Sequence, residues 1–298
     1  MRPQLPASRT SSTELLGIGM MLAGMFLFAL NDAIGKWLVA TYSVGQVVLI
    51  RSLFGLAVLA VLLRASGFVS VLRVERPPVQ AARVVFSTAE VFCFYTAVTY
   101  LPLADVMTYW LAAPIYVAAL SPFLLGERVG PLRWAAVAIG FVGVLIALAP
   151  SGAVAPVATV AAVIGSLSFG LMIVTGRTLR GTPDKTLVFW QTAGALAAGL
   201  VFAPFAWVPP TPLDFALLGL LGVVAMGAHI CVNRALKLAD AATVAPMQYT
   251  LLPFAIVLGY LFFRDVPRPA MLVGAAIIVG SGLVIFYRER AAARRDAA

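Results

Sequence analysis

The sequence predicts an all-α integral membrane protein of ten transmembrane helices, built as two inverted five-helix repeats. Three observations predict it. Hydrophobic residues make up 62% of the 298 and charged ones 11%, with a mean hydropathy of +1.00, about half the charge of an ordinary soluble protein. Apolar runs of bilayer length recur ten times along the chain. The chain also repeats itself, since Pro114 falls on Pro253 and Gly143 on Gly282 at a displacement of 139, and Glu127 on Asp265 at 138.

A hydrocarbon core of roughly 30 Å takes about 20 apolar residues as a helix. Runs near 15–39, 44–63, 79–101, 103–125 and 131–149 supply the first half, and 154–178, 185–207, 213–236, 240–262 and 267–287 the second. Breakers mark the turns: Pro77-Pro78, Pro131, Pro156, Pro183 and Pro209-Pro210. Strands are excluded because the runs are continuous rather than alternating. The organisation expected is a cytoplasmic tail at 1–14, a first repeat at 15–149, a second at 154–287 and a cytoplasmic tail at 288–298. The apolar run after the first tail is too long for a signal-peptide core, so it is read as a retained helix. The short connections leave no room for a soluble domain.

Further echoes extend the repeat. Trp110 lands on Tyr249, each one helical turn before its proline; Cys93 and Cys231, the only cysteines, lie 138 apart; and Gly35 to Leu38 (GKWL) echoes Gly176 to Leu179 (GRTL) at 141. Both cysteines sit in apolar runs and are expected to be free thiols. A weak internal repeat in a very apolar chain is the mark of a transporter assembled from duplicated halves.

The net charge of +9 raises nucleic acid as a partner. The basic residues stand singly at span ends rather than on one soluble face, so no nucleic acid is expected. They report orientation instead. With the N-terminus in the cytoplasm, Arg2, Arg9, Arg64, Arg73, Arg76, Arg83, Arg128, Arg133, Arg177, Arg180, Lys185, Arg234, Lys237, Arg288, Arg290, Arg294 and Arg295 fall on that side. Only Lys36, Arg264 and Arg268 fall on the other, with Arg51 inside the membrane. Both termini are then cytoplasmic, and an odd number of spans per half inverts the second half.

Ionisable groups within a span cost about 2.5–3.5 kcal/mol each on insertion scales and face a cavity or a partner. Asp32, Arg51, Glu90 and His229 qualify, with Asn31, Gln191, Asn233 and Gln248 as further polar groups. Two readings stand for Arg51 and Asp32. They line a cavity, or Arg51 forms a structural ion pair with Asp32 or Glu90; Asp32 and Lys36, four apart, can also neutralise one another. Glu90, at mid-span, is read toward a cavity. His229 faces the same way as Asn233, and a satisfied interhelical hydrogen bond is the simpler reading for it.

Met107, Trp110 and Pro114 share one face of the fourth span, and Pro246, Tyr249 and Pro253 the matching face of the ninth. Such aromatics serve packing or binding. A proline removes a backbone hydrogen bond and bends its helix, so Pro114 and Pro253 are read as two hinges, with Pro122 a second break. Ala136, Gly140, Gly274, Gly280 and Gly282 are read as close-packing positions, within the chain or between two copies in a homodimer.

Enzyme signatures are missing. Asn31-Asp32 has no second acid to hold magnesium with, one histidine and two cysteines make no zinc site, and no GxxxxGK[ST] loop occurs. No metal and no cofactor is expected.

The stretch LPLADVMTYWLAAPIY, then LLGERV (Leu124 to Val129) and GFVGVLIAL (Gly140 to Leu148), resembles the EamA family of the drug/metabolite transporter superfamily. SFGLMIVTGRTLRG and MQYTLLPFAIVLGYLFFRDV are similar to the family's second-half segments, and the likeness runs from about 15 to 287. Arg264-Asp265 departs from it, standing where the family often has Gly-Glu, which leaves this acid a loop-capping role. The resemblance implies a metabolite carrier in a bacterial inner membrane. Its cavity would be lined by helices 1, 3, 4, 6, 8 and 9, with helices 5 and 10 peripheral. Among members, amino-acid exporters of the YddG type are the best match. On that basis Asn31, Glu90 and Gln248 would contact the amino and carboxylate groups of a small-molecule substrate. Trp110, Tyr249 and Phe169 would contact its side chain, and His229 would complete the wall. Two alternatives remain: a proton-coupled exporter of cationic or aromatic drugs, with Glu90 or Asp32 cycling protons, and a membrane-embedded enzyme acting on lipid-linked substrates.

Overall fold

The computed structural model describes residues 11–64, 69–126, 130–147, 156–179, 181–238 and 245–296. Among the described residues all regular structure is helical. Ten principal helices follow in order: α1 Ser11–Val39, α2 Val44–Leu63, α3 Pro77–Tyr100, α4 in two pieces (α4a Leu103–Trp110, α4b Ala113–Leu124), α5 Pro131–Ala147, α6 Pro156–Thr178, α7 Asp184–Phe202, α8 Pro212–Leu238, α9 Leu251–Phe263 and α10 Pro269–Asp296. A single turn, Val69–Leu72, links α2 to α3, and 3-10 turns Ala203–Ala206 and Ala245–Thr250 follow α7 and precede α9.

The breakers act as expected. α3, α5, α6, α8 and α10 each begin on a proline, where the absent N–H has no intrahelical acceptor and φ is preset. Ser43 caps α2, its Oγ accepting from the Gln46 N–H at 3.3 Å. A left-handed residue follows both α4b and α9: Gly126 at φ 68°, one residue past the Leu125 cap, and Arg264 at φ 58°, itself the cap. The Arg264 N–H closes the turn onto the Tyr260 carbonyl at 3.0 Å. A non-glycine residue in this left-handed conformation costs about 1–2 kcal/mol, so Arg264 occupies a backbone position suited to glycine. Glu127, the counterpart of Asp265, lies outside the described residues.

Among the described residues eight helices, counting α4 as one, have the length and apolarity to cross a membrane; Trp134–Ala147 and Met247–Phe263 are shorter apolar helices. The 17 residues of α5 reach about 25 Å at 1.5 Å each. α9 is short because the six residues before it wind as a 3-10 turn, which adds about 12 Å at roughly 2.0 Å each. α10 continues to Asp296, beyond the end of its apolar run. Large apolar side chains such as Val85, Phe123, Leu145, Val157, Leu200 and Phe205 lie exposed on the outside of the bundle, a surface suited to lipid and far too apolar for water.

α1 packs on α8, α3 on α6, α5 on α10, and α2 on both α7 and α8; α9 lies against α1 and α4a, and α4b against α6. Two crossings bring backbones into contact. A Cβ on Gly222 of α8 would strike the Arg51 carbonyl of α2 and lie 2.6 Å from the Gly55 nitrogen, and one on Gly274 of α10 would lie 2.6 Å from the Gly143 carbonyl of α5. Gly140, Gly143 and Gly274 therefore serve the α5–α10 contact within one chain, whereas Gly280 has nothing within 4 Å and Gly282 abuts Tyr249, so these two do not pack as expected. Cys93 and Cys231 are free thiols.

Candidate functional site

One cavity of about 550 Å³ occupies the centre of the bundle. Its wall takes residues from every principal helix except α5. This widens the expected set, because α2 brings Arg51, α7 brings Gln191, and α10 brings Gly282, Ile285 and Phe286. Helix 10 is thus not peripheral. A glycine at 282 is what admits the Tyr249 side chain from the 3-10 turn before α9, since a Cβ there would collide with its hydroxyl.

The seven residues expected to contact a substrate all lie on this wall, though in different situations. Glu90 of α3 accepts a hydrogen bond from the Trp110 indole N–H at 2.7 Å. The indole also meets Phe94 edge-on, with centroids 5.3 Å apart. It rests where a Cβ on Gly165 of α6 would come within 2.5 Å of the ring. Asn31 is buried and donates its side-chain amide to the Leu221 carbonyl of α8 at 2.7 Å. One of its two N–H donors therefore ties α1 to α8, which fixes the side chain on the wall. His229 meets Phe28 edge-on with centroids 5.0 Å apart, and among the described residues this ring contact stands where a hydrogen bond was expected. Phe169 faces in from α6, Tyr249 is half-buried beside Gly282, and Gln248 is exposed at the rim.

Pro114 is on the wall and Pro253 is not. The interruption of α4 falls at Leu111-Ala112, just before Pro114. Lacking an N–H, Pro114 leaves the Trp110 carbonyl without its i+4 donor and crowds it with the ring. Pro253 stands in the same relation to Tyr249, where 3-10 winding gives way to α9.

The ionisable residues pair differently from expectation. Lys36 turns from Asp32 to Asp265, forming an ion pair with it. It also donates to the Leu101 carbonyl at 3.1 Å and lies 4.8 Å from the Phe263 ring centroid. Asp265, which also accepts from the Leu103 N–H at 3.4 Å, thus does more than cap a loop. Arg51 forms no ion pair with Asp32 or Glu90 among the described residues. Its Nη1 donates to the Tyr95 hydroxyl at 3.0 Å, and the guanidinium lies 5.4 Å from that ring's centroid. All four in-span ionisable residues, Asp32, Arg51, Glu90 and His229, line the cavity, and Arg177 joins them from α6.

The two ends of the bundle are built differently. The wall extends from mid-depth toward the end where α6 finishes and α7 and α9 begin. The opposite end is tied by polar links. The Lys36–Asp265 pair is joined there by Arg268–Asp105 at 2.9 Å, Tyr42 donating to Asp214 at 2.7 Å, and Gln46 exchanging two hydrogen bonds with the backbone of Val208. Asp105 went unnoticed in the sequence, being a lone acid in the first turn of an apolar helix with no local signal of a partner.

A family model described as the EamA-like transporter family matches the chain twice, over residues 15–149 and 157–287. The chain belongs to the EamA-like transporter family. It is a multi-pass membrane transporter of a small molecule and not an enzyme. Among curated proteins it is 25% identical to the S-adenosylmethionine uptake transporter of Rickettsia conorii, covering 95% of this chain and 96% of that one. It is 29% identical to the riboflavin transporter of Rhizobium johnstonii, covering 93% of each. It is 28% identical to the pseudopaline exporter of Pseudomonas aeruginosa, covering 89% of this chain and 95% of that one. A solved crystal structure aligns with 92% of this chain and 96% of its own at a TM-score of 0.61 and 20% identity, a likeness of fold alone.

Proposed function

We propose that this EamA-like transporter carries small amino-acid-like metabolites across a bacterial inner membrane by alternating access, with both termini cytoplasmic. The observation that carries the reading is a central cavity reaching one end of the bundle while ion pairs and hydrogen bonds tie the other. Two inverted halves rocking about Pro114 and Pro253 would expose that cavity to each side in turn. Support for the halves comes from the helix pairings. Exchanging helix n with n+5 maps α1–α8 onto α6–α3 and leaves α2–α7, α4–α9 and α5–α10 unchanged. The left-handed residues Gly126 and Arg264, at corresponding places after α4b and α9, add to it.

The wall mixes Asp32, Glu90 and Arg51 with Phe28, Phe94, Trp110, Phe169 and Tyr249, a combination suited to a charged head and a ring or apolar tail. Its volume of about 550 Å³ lies within the roughly 300–1,000 Å³ usual for small-molecule sites, so metabolites larger than a single amino acid fit the reading. Relatives are named for both uptake and export; alternating access runs either way, and the solute gradient sets the direction.

Counterflow of labelled L-tryptophan and L-methionine in proteoliposomes tests the proposal. Flux above protein-free vesicles is expected, reduced in Trp110→Ala and Tyr249→Ala; equal flux in both variants would reject the cavity as the pathway. A second reading, proton-coupled movement of aromatic cations, is favoured by Asp32 and Glu90 on the wall. It requires cation movement driven by a pH gradient and abolished in Glu90→Gln.

A further inference from the structure

Asp32, Arg51 and Glu90 reach the same cavity from α1, α2 and α3. Among the described residues Arg51 closes onto neither carboxylate and is held instead by Tyr95. Tyr95 is fully buried and rigidly seated, because a Cβ on Gly35 of α1 would come within 2.5 Å of its ring. It also stacks edge-on with Phe94 at 5.4 Å. One guanidinium N–H is thus fixed by a phenol, and among the described residues no carboxylate contacts the rest of the planar fork.

A cation inside a bilayer span without a carboxylate in contact is costly, and guanidinium geometry matches a carboxylate in two parallel hydrogen bonds. We infer that Arg51, positioned by Tyr95, binds a carboxylate of the transported molecule, with Asp32 and Glu90 beside it receiving the ammonium. The solute is therefore a zwitterion whose head group docks on α1 to α3 and whose tail lies toward Phe169 and Tyr249. This makes Arg51, rather than Asn31 or Gln248, the carboxylate contact, since Asn31 offers one remaining neutral N–H beside its bond to α8 and Gln248 is at the exposed rim.

The inference rests on the transport reading, and matched ligands separate the two. Purified full-length protein is tested for binding and counterflow with L-tryptophan, its methyl ester and tryptamine, in wild type, Arg51→Gln, Arg51→Lys and Tyr95→Phe. Melting without ligand checks that each variant folds. The amino acid is expected to bind at least about tenfold more tightly than the ester or the amine, the value of a charge-assisted hydrogen bond. That preference disappears in Arg51→Gln, while Arg51→Lys keeps part of it and Tyr95→Phe weakens acid binding without affecting the amine. Ester and amine binding as well as the acid, or a preference that survives in Arg51→Gln, overturns the inference while leaving transport intact. Binding of none of the three probes overturns it together with the amino-acid reading.

Discussion

On the proposed alternating access, removing the two ion pairs at the tied end is expected to shift the balance between inward- and outward-opening states. The perturbation is Asp105→Asn combined with Asp265→Asn, which keeps side-chain size and removes the charges facing Arg268 and Lys36. The side chains are 27% and 3% exposed in the Arg268–Asp105 pair and 14% and 21% in Lys36–Asp265. Exposed pairs contribute about 0–1 kcal/mol, and breaking fully buried ones costs about 3–5 kcal/mol. These pairs are intermediate, so each tie contributes about 1–3 kcal/mol to the observed state. The neighbouring pairs are not independent, and about 3 kcal/mol together corresponds to roughly a hundredfold change in the ratio of states. The assay places a reporter by Met107→Cys, a buried cavity-wall position on α4a, in a Cys93→Ala, Cys231→Ala background. A membrane-impermeant thiol reagent is then applied from either side of oriented vesicles. With the pairs intact, labelling comes from the cavity side; in the double variant it shifts to the tied side. An unchanged ratio of labelling from the two sides, in protein that still folds, refutes the reasoning.

Other consequences are open to measurement. Trp110→Phe leaves the Glu90 carboxylate without its hydrogen bond, lowering stability by about 1–3 kcal/mol; in a cycle with Glu90→Gln, thermal melting should show the two effects to be non-additive. Gly282→Ala places a Cβ against the Tyr249 hydroxyl and is expected to displace that ring, costing about 1–3 kcal/mol and lowering counterflow while expression persists. Gln46→Ala removes both hydrogen bonds that hold Val208 and exposes the backbone partners, an expected loss of about 1–3 kcal/mol in melting experiments.

Much of the helical plan was legible because a bilayer imposes it. Backbone groups must be satisfied within each span, so apolar run length and proline punctuation mark the helices with few alternatives. The cost of an in-span charge made Asp32, Arg51, Glu90 and His229 visible, and all four reach one cavity. Partner choice was not legible. Lys36 stands four residues from Asp32, as a helix-face pair would, yet bonds to Asp265, 229 residues away; no local spacing encodes that. Asp105 and Arg268 are likewise 163 apart. Pro114 announced a bend, but the interruption falls earlier, at Leu111-Ala112, because the lost hydrogen bond belongs to the Trp110 carbonyl. Arg264 hid a left-handed cap under a residue type that does not advertise one.

The contact between α2 and α8 at Gly222, with Arg51 and Gly55 opposite, constrains how any motion proceeds. Where two main chains touch with no side chains between them, nothing flexible is available to fill a widening gap. The two rods can turn against each other at that point but not draw apart. In the proposed rocking, this contact beside the guanidinium of Arg51 would act as a pivot together with the bends at Pro114 and Pro253, leaving the widest excursions to the helix ends farthest from it.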